Sequence, residues 1–264
     1  MMSKKTKKNI FIILFCLFFI IILFSSIINI YEKRNKVKNF LFKKLTDQKY
    51  YNLDNQKWSK EILKGGYIIY IRHSFRKNGE NPDGDFYNVW TYDAIELFNL
   101  NKNNINAENT YLSDATCLTN EGKILAKTMG LYFEILNINH DKIISSPSCR
   151  ARQHAILSFG KIDKFYNELV HYGPWNEKLS VFENNIKNIL LREAPSENKN
   201  TIIVAHNGVM SRNIFDEFPL ESDFYLKQGG FFLIKVENNK IKLKHTFDEF
   251  HKFSGTLLKR PVNK

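Results

Sequence analysis

The stretch Gly66–Arg76, GYIIYIRHSFR, constrains the fold more than any other part of the chain. Tyr67–Ile71 is a run of β-branched and aromatic residues with no polar alternation, the pattern of a strand covered on both faces. The run ends in Arg72, His73, Ser74 and Arg76. In open α/β sheets the carboxyl ends of strands face the ligand crevice. Two arginines flanking a histidine at such an end make an anion site suited to phosphate.

The pattern repeats along the chain. Lys142–Ser145 reads as a second strand, followed by Ser146-Pro147 and a helix from Cys149 to Phe159. Thr201–Ala205 reads as a third, ending at His206. Helices are predicted at Trp58–Leu63, Val89–Phe98, Thr119–Leu136, Leu179–Arg192 and Asn207–Phe215. Thr119–Leu136 has Thr119 as cap and Ile124, Leu125, Met129, Tyr132, Phe133 and Leu136 as its apolar face. Phe165–Tyr172 reads as a strand, and Phe231–Val236 with Ile241–His245 as a hairpin. Strands alternating with helices predict an α/β class: a three-layer α/β/α sandwich with a mostly parallel central sheet.

The amino-terminal part is different in kind. Residues 9–30 carry no charge and reach the roughly 20 apolar residues needed to span a bilayer. The organisation read from this is a basic tail at 1–8, a transmembrane anchor at 9–30, a juxtamembrane linker at 31–56 and a globular domain at 57–264. A cleaved signal peptide is the competing reading; the long apolar part and the lack of an A-x-A-like site favour the anchor. The net charge is +12, of which residues 1–48 hold +8. The basic charge thus flanks the apolar segment, where it suits anionic headgroups, and the globular part has no basic stripe of a nucleic-acid binder. Counting Lys and Arg on the two flanks favours a cytoplasmic domain slightly; the habit of an amino-terminal basic anchor favours the opposite side. The reading adopted is a single-pass membrane protein with an extracytoplasmic domain. Cys117 and Cys149 either pair or stay free, and the sequence leaves this open.

Three strand ends thus bring Arg72-His73, Arg150 and His206 to one edge. Each alone has a bland explanation as a strand cap, a surface arginine or a core histidine. Together, in this order, the segments I-R-H-S, L-T-N-E-G-K-I-L-A at Leu118–Ala126, S-S-P-S-C-R-A-R-Q-H-A at Ser145–Ala155 and V-A-H-N-G at Val204–Gly208 resemble the histidine phosphatase superfamily, which includes the phosphoglycerate mutases. Ser74 replaces the usual glycine and His154 a common threonine. A narrower resemblance, to bacterial lipopolysaccharide-core heptose phosphatases, rests on Arg72-His73 with Arg76, Leu112-Ser113-Asp114, Ala205-His206-Asn207 and the apolar amino-terminal segment.

The resemblance implies a phosphomonoesterase that needs no metal or other cofactor and acts on a phosphorylated small molecule such as a sugar phosphate. His73 would be the nucleophile, one ring nitrogen free and the other donating to a backbone carbonyl. Arg72, Arg76 and Arg150 would hold the phosphoryl oxygens, with His206 as a further contact and Ser74 in the phosphate loop. A general acid should protonate the leaving group. Asn207 stands where the acid-phosphatase branch has an aspartate and cannot do this. Glu177 is the preferred acid, with Glu168 and His171 as alternatives. A mutase-like phosphotransferase and a catalytically dead phosphate or partner binder are the competing functions. The sequence has no Cys-x5-Arg, no G-x-x-x-x-G-K-[ST] and no H-E-x-x-H among its seven histidines.

Overall fold

A computed structural model describes residues 53–76, 92–98, 107–109, 113–170, 177–219 and 224–257. The chain divides into two units, 1–52 and 53–264. The predicted tail, the anchor at 9–30 and the linker up to residue 52 lie outside the described residues. So do His171, the loop 77–87 and most of 99–112. Among the described residues no helix is long and apolar enough to cross a membrane.

The second unit is built on one sheet of six strands. They are β1 (Ile68–Arg72), β2 (His140–Ser145), β3 (Lys164–Phe165), β4 (Asn200–Ala205), β5 (Phe231–Glu237) and β6 (Lys240–Phe247), in the order β3-β2-β4-β1-β5-β6. Strands β3, β2, β4 and β1 run parallel; β5 and β6 join antiparallel on the far side of β1. The carboxyl ends of β1, β2 and β4 therefore open on one edge.

The helices are α1 (Leu53–Lys64), α2 (92–98), α3 (Ser113–Thr116), α4 (Asn120–Ile135), α5 (Cys149–Phe159), α6 (Leu179–Arg192) and α7 (Phe250–Leu257). Side chains alternate between the sheet's faces. Ile68, Tyr70, Ile203 and Phe232 pack with Phe182, Ile186 and Leu190 of α6. Ile69, Ile71, Ile202 and Val204 pack with Met129 and Phe133 of α4, Ala151 and Ala155 of α5 and Phe253 of α7. Helices thus cover both faces, which is why Ile68–Ile71 of β1 and Ile202–Ala205 of β4 form unbroken apolar runs. Each fully buried isoleucine contributes about 1.5–3 kcal/mol of transfer free energy.

Several elements differ from expectation. Leu53–Gln56, read as linker, is helical, with Asp54 in the first turn of α1. Helix α4 is capped by Thr119, whose hydroxyl accepts from Gly122 N at 3.2 Å, as predicted. Met129, Tyr132 and Phe133 are buried as predicted, Leu125 and Leu136 pack partly buried against the same cluster, Gly122, Ala126 and Gly130 complete the face, and Ile124 points outward. Residues 207–215 form two 3-10 turns, Asn207–Val209 and Arg212–Ile214, in place of one helix. The Asn207 side chain accepts from Leu226 N at 2.6 Å, a tie to a distant part of the chain. Strand β3 is two residues long and leads into a 3-10 turn at Asn167–Leu169. The hairpin turns through Asn238 and Asn239, both at positive φ, the geometry of a type I′ turn. Helix α7 was not foreseen; Phe253 packs its ring on Tyr132, Phe231 and Phe247.

Candidate active site

The polypeptide leaves β1 at Arg72, but His73 N still donates to Ala205 O of β4 at 3.0 Å. The backbone at His73 is thereby fixed to the sheet. Its ring is 2% exposed. Nδ1 lies 2.7 Å from Ser74 O, and a carbonyl can only accept, so Nδ1 carries the proton. Nε2 then holds the lone pair and accepts from Arg150 Nε at 3.2 Å. These two bonds define a neutral imidazole with Nε2 as the reactive atom.

Arg150 comes from the first turn of α5, just after the Ser146-Pro147-Ser148 bend, and is fully buried. Beyond His73, its Nη1 and Nη2 each donate at 2.7 Å to one carboxylate oxygen of Asp93, in a bidentate pair. Asp93 lies on α2 and is 1% exposed. His206 follows β4. Its Nε2 lies 3.0 Å from both Ser146 Oγ and Ser148 Oγ, and its ring stands edge-on to His73, centroids 5.1 Å apart.

Arg72 donates to Leu226 O and stacks over Tyr225 at 5.4 Å. Asn207 holds Leu226 in place through the bond described above, so the residue that cannot serve as acid positions an arginine. Arg76 bridges to Leu118, and its guanidinium is pushed down to about 10. Burial is the main cause, with the charges of Arg150 and Arg72 adding to it and Asp93 opposing. The charges of Arg150 and Arg72 thus both bear on Arg76. A dianion is the natural counter-charge for such a cluster.

Ser74 lies in the loop after β1 and is fully buried. Its hydroxyl donates to Gly122 O at 2.6 Å and its N–H to His154 Nδ1 at 2.9 Å. It fastens the loop to α4 and α5. A Cβ at residue 122 would lie 2.0 Å from Phe75 O, so only glycine lets α4 start this close to the loop. Burial pushes His154 down to about 3, consistent with a neutral ring accepting from Ser74.

Of the nominated acids, Glu177 and Glu168 are described and neither is bonded to the cluster, and His171 lies outside the described residues. Glu177 is exposed, with Asn185 Nδ2 at 3.3 Å, and Glu168 is exposed on the 3-10 turn after β3. Among the described residues, Asp93 is the carboxylate bonded to a site arginine. Sequence reading missed it because the stretch around it has no strong periodicity; the signal available was Asp93 with Glu96 on one helical turn. Glu96 pairs with Arg152 at 2.7 Å. Burial is the main influence on its carboxyl and raises it, against the Cys149 N–H and Arg152. Cys117 and Cys149 are disulfide-bonded, which ties the start of α5 to the chain after α3. Tyr92 packs on the bridge. Glu108 reaches the same sulfurs, but paired thiols cannot ligate a metal with it.

Compared by sequence, the chain matches no protein-family model and no curated protein. Solved structures similar to it include a protein histidine phosphatase, SixA, complexed with tungstate, at 10% identity and TM-score 0.44, covering 69% of this chain and 96% of that one. Phosphoserine phosphatase from Entamoeba histolytica, in complex with 3-phosphoglyceric acid, has 17% identity and TM-score 0.43, over 70% and 98%. A putative α-ribazole-5′-P phosphatase from Escherichia coli has 16% identity and TM-score 0.45, over 69% and 96%. The chemistry of its site rests on its own residues.

Proposed function

We propose that this chain is a membrane-anchored, metal-independent phosphomonoesterase that forms a phosphohistidine on His73. The observation that carries the reading is the His73 ring, with Nδ1–H fixed on Ser74 O and Nε2 aimed at Arg150. The attacking atom is held in its nucleophilic tautomer beside a cation that can receive the phosphoryl oxygens. His73 Nε2 attacks phosphorus in line. Arg72, Arg76 and Arg150 hold the oxygens, and His206 adds a donor. Water then hydrolyses the N–P bond.

A sugar phosphate of the cell envelope is the proposed substrate. The narrower motif resemblance and the apolar segment at 9–30 support it. The Cys117–Cys149 bridge supports an extracytoplasmic domain, since disulfides persist in oxidising compartments.

The test is p-nitrophenyl phosphate hydrolysis by the full chain in detergent, with EDTA present, for wild type and His73→Ala. EDTA-resistant turnover that falls to background in the variant is expected. Activity that survives in His73→Ala would remove the histidine from the mechanism.

A further inference from the structure

We propose that Asp93 is the general acid–base of this site, displaced from Arg150 by the incoming phosphoryl group so that it can carry the proton. The proposal rests on the phosphohistidine reading above. It starts from a juxtaposition no motif predicts: one buried guanidinium touches the nucleophile with Nε and a carboxylate with Nη1 and Nη2. Asp93 is thus one guanidinium away from His73 Nε2. None of the other carboxylates considered as the acid has a described contact with this cluster.

The resting arrangement cannot be the reacting one. Phosphorus must reach His73 Nε2, where Arg150 Nε now bonds, and the phosphoryl oxygens must find guanidinium N–H groups. Asp93 holds the end-on fork of Arg150, the geometry that also suits two phosphoryl oxygens. A dianion therefore competes with Asp93 for one guanidinium. Among the described residues, Arg150 from α5 is bonded to Asp93, the charges of Arg76 from the loop after β1 and of Glu96 on the same helix couple to it, and His73 lies beyond Arg150. Once the dianion takes the fork, Asp93 loses its cation and gains an anionic neighbour. A carboxylate so placed takes up a proton. Substrate binding thereby arms the acid.

The proton balance closes over two steps. First, the His73 Nε2 lone pair forms the N–P bond. The P–O bond to the leaving group breaks, its electron pair stays on that oxygen, and Asp93 protonates it to the alcohol. Second, water attacks phosphorus and gives its proton to the Asp93 carboxylate. The N–P bond breaks with its electrons returning to Nε2, and phosphate leaves. As phosphate leaves, Asp93 releases to solvent the proton taken up on binding and returns to Arg150 as the carboxylate.

The experiment compares Asp93→Asn with wild type, full chain in detergent, on p-nitrophenyl phosphate and on β-glycerophosphate. An aryl leaving group is stable as the anion; an alkoxide is not. The expected result is a loss of about 10²-fold or more on the alkyl ester, with a loss below about tenfold on the aryl ester. Sulfate, a dianion that stays unprotonated near neutral pH, should inhibit the variant at about tenfold lower concentration, because its competitor is gone. Equal losses on both esters, or weaker sulfate inhibition, would mean that Asp93 only braces Arg150, and would overturn the proposal. A variant-free arm covers failure to fold: wild type should take up close to one proton per sulfate bound, read by calorimetry in buffers of different ionisation enthalpy, and no uptake overturns the proposal. Wild type inactive on both esters is a separate result, which removes the phosphatase reading itself.

Discussion

The two ends of the β1–β4 pair are equally buried and use their polar groups in opposite ways. At the amino end, Asn200 is fully buried and works for the main chain. Its Oδ1 accepts from Tyr67 N at 3.2 Å, and its Nδ2 donates to Ile62 O and Asn139 O, both at 3.0 Å. At the carboxyl end, His73, Arg150, Asp93 and His206 bond largely to other side chains, and the charges of Arg72 and Arg150 bear on Arg76. Polar groups satisfied by backbone stabilise a fold. Charged groups gathered at a strand end cost stability that an arriving anion can offset, so the carboxyl end suits a ligand.

The largest effect expected from this contrast is a double dissociation. His73→Ala should lose turnover to background while its unfolding free energy stays within about 1 kcal/mol, since its ring lies beyond the strand end. Asn200→Ala should do the reverse: about 1–3 kcal/mol lost for each buried backbone group left unsatisfied, read by urea denaturation, with kcat/KM nearly unchanged. A pair of variants that lose stability and activity together would erase the distinction between the two ends.

Next in size is Arg150→Ala. A preorganised donor removed from phosphoryl oxygens should cost about 10²–10³ in kcat, measured with saturating p-nitrophenyl phosphate. A near-wild-type rate would place Arg150 with the structural end of the sheet. The bridge between Cys117 and Cys149 sharpens the comparison from another side, because it fixes the chain next to Arg150. Reduction should lower stability by about 3–4 kcal/mol for a loop of this length, followed as a shift in the denaturation midpoint. No shift would mean that the fold around α5 stands without it.

The smallest effect is in pH. His154 is held down to about 3 and His245 to about 4, each mainly by burial. An unfolded histidine titrates near 6.5. Below that pH the unfolded chain takes up protons that the folded chain refuses. These histidines therefore contribute stability that is fully present above about pH 6.5 and is lost as pH falls toward their folded values. Thermal midpoints measured from neutral pH downward should fall, and His154→Asn should flatten the slope while its amide oxygen keeps the bond to Ser74 N. An unchanged slope in that variant would assign the loss to other groups.

The parallel strands and the cluster at their ends were legible because both are written in short, local code. An unbroken apolar run such as Tyr67–Ile71 can only be a buried strand or helix segment, and charged residues immediately after it mark an edge. Asp93 was not legible, because its role depends on α2 lying over α5, a long-range contact with no local pattern. Glu177 is preferred on its alignment with an acidic residue of the heptose phosphatases, and an alignment cannot tell an exposed carboxylate from a buried one. Ser74 was placed in the phosphate loop, as its position in the motif suggests. What the motif hides is that its hydroxyl and N–H are both committed to holding the loop against α4 and α5. The single helix expected at Asn207–Phe215 is instead two 3-10 turns, and the Asn207 side chain is tied to Leu226.

The most direct test of the account is chemical trapping during turnover. Wild type mixed with p-nitrophenyl phosphate would be quenched under alkaline conditions, where phosphohistidine survives, and mapped by mass spectrometry. The account predicts one phosphoryl group on the peptide containing His73, on the imidazole Nε2, and none in His73→Ala. Active enzyme that carries no phosphoryl group there, or carries it on another residue, would contradict it.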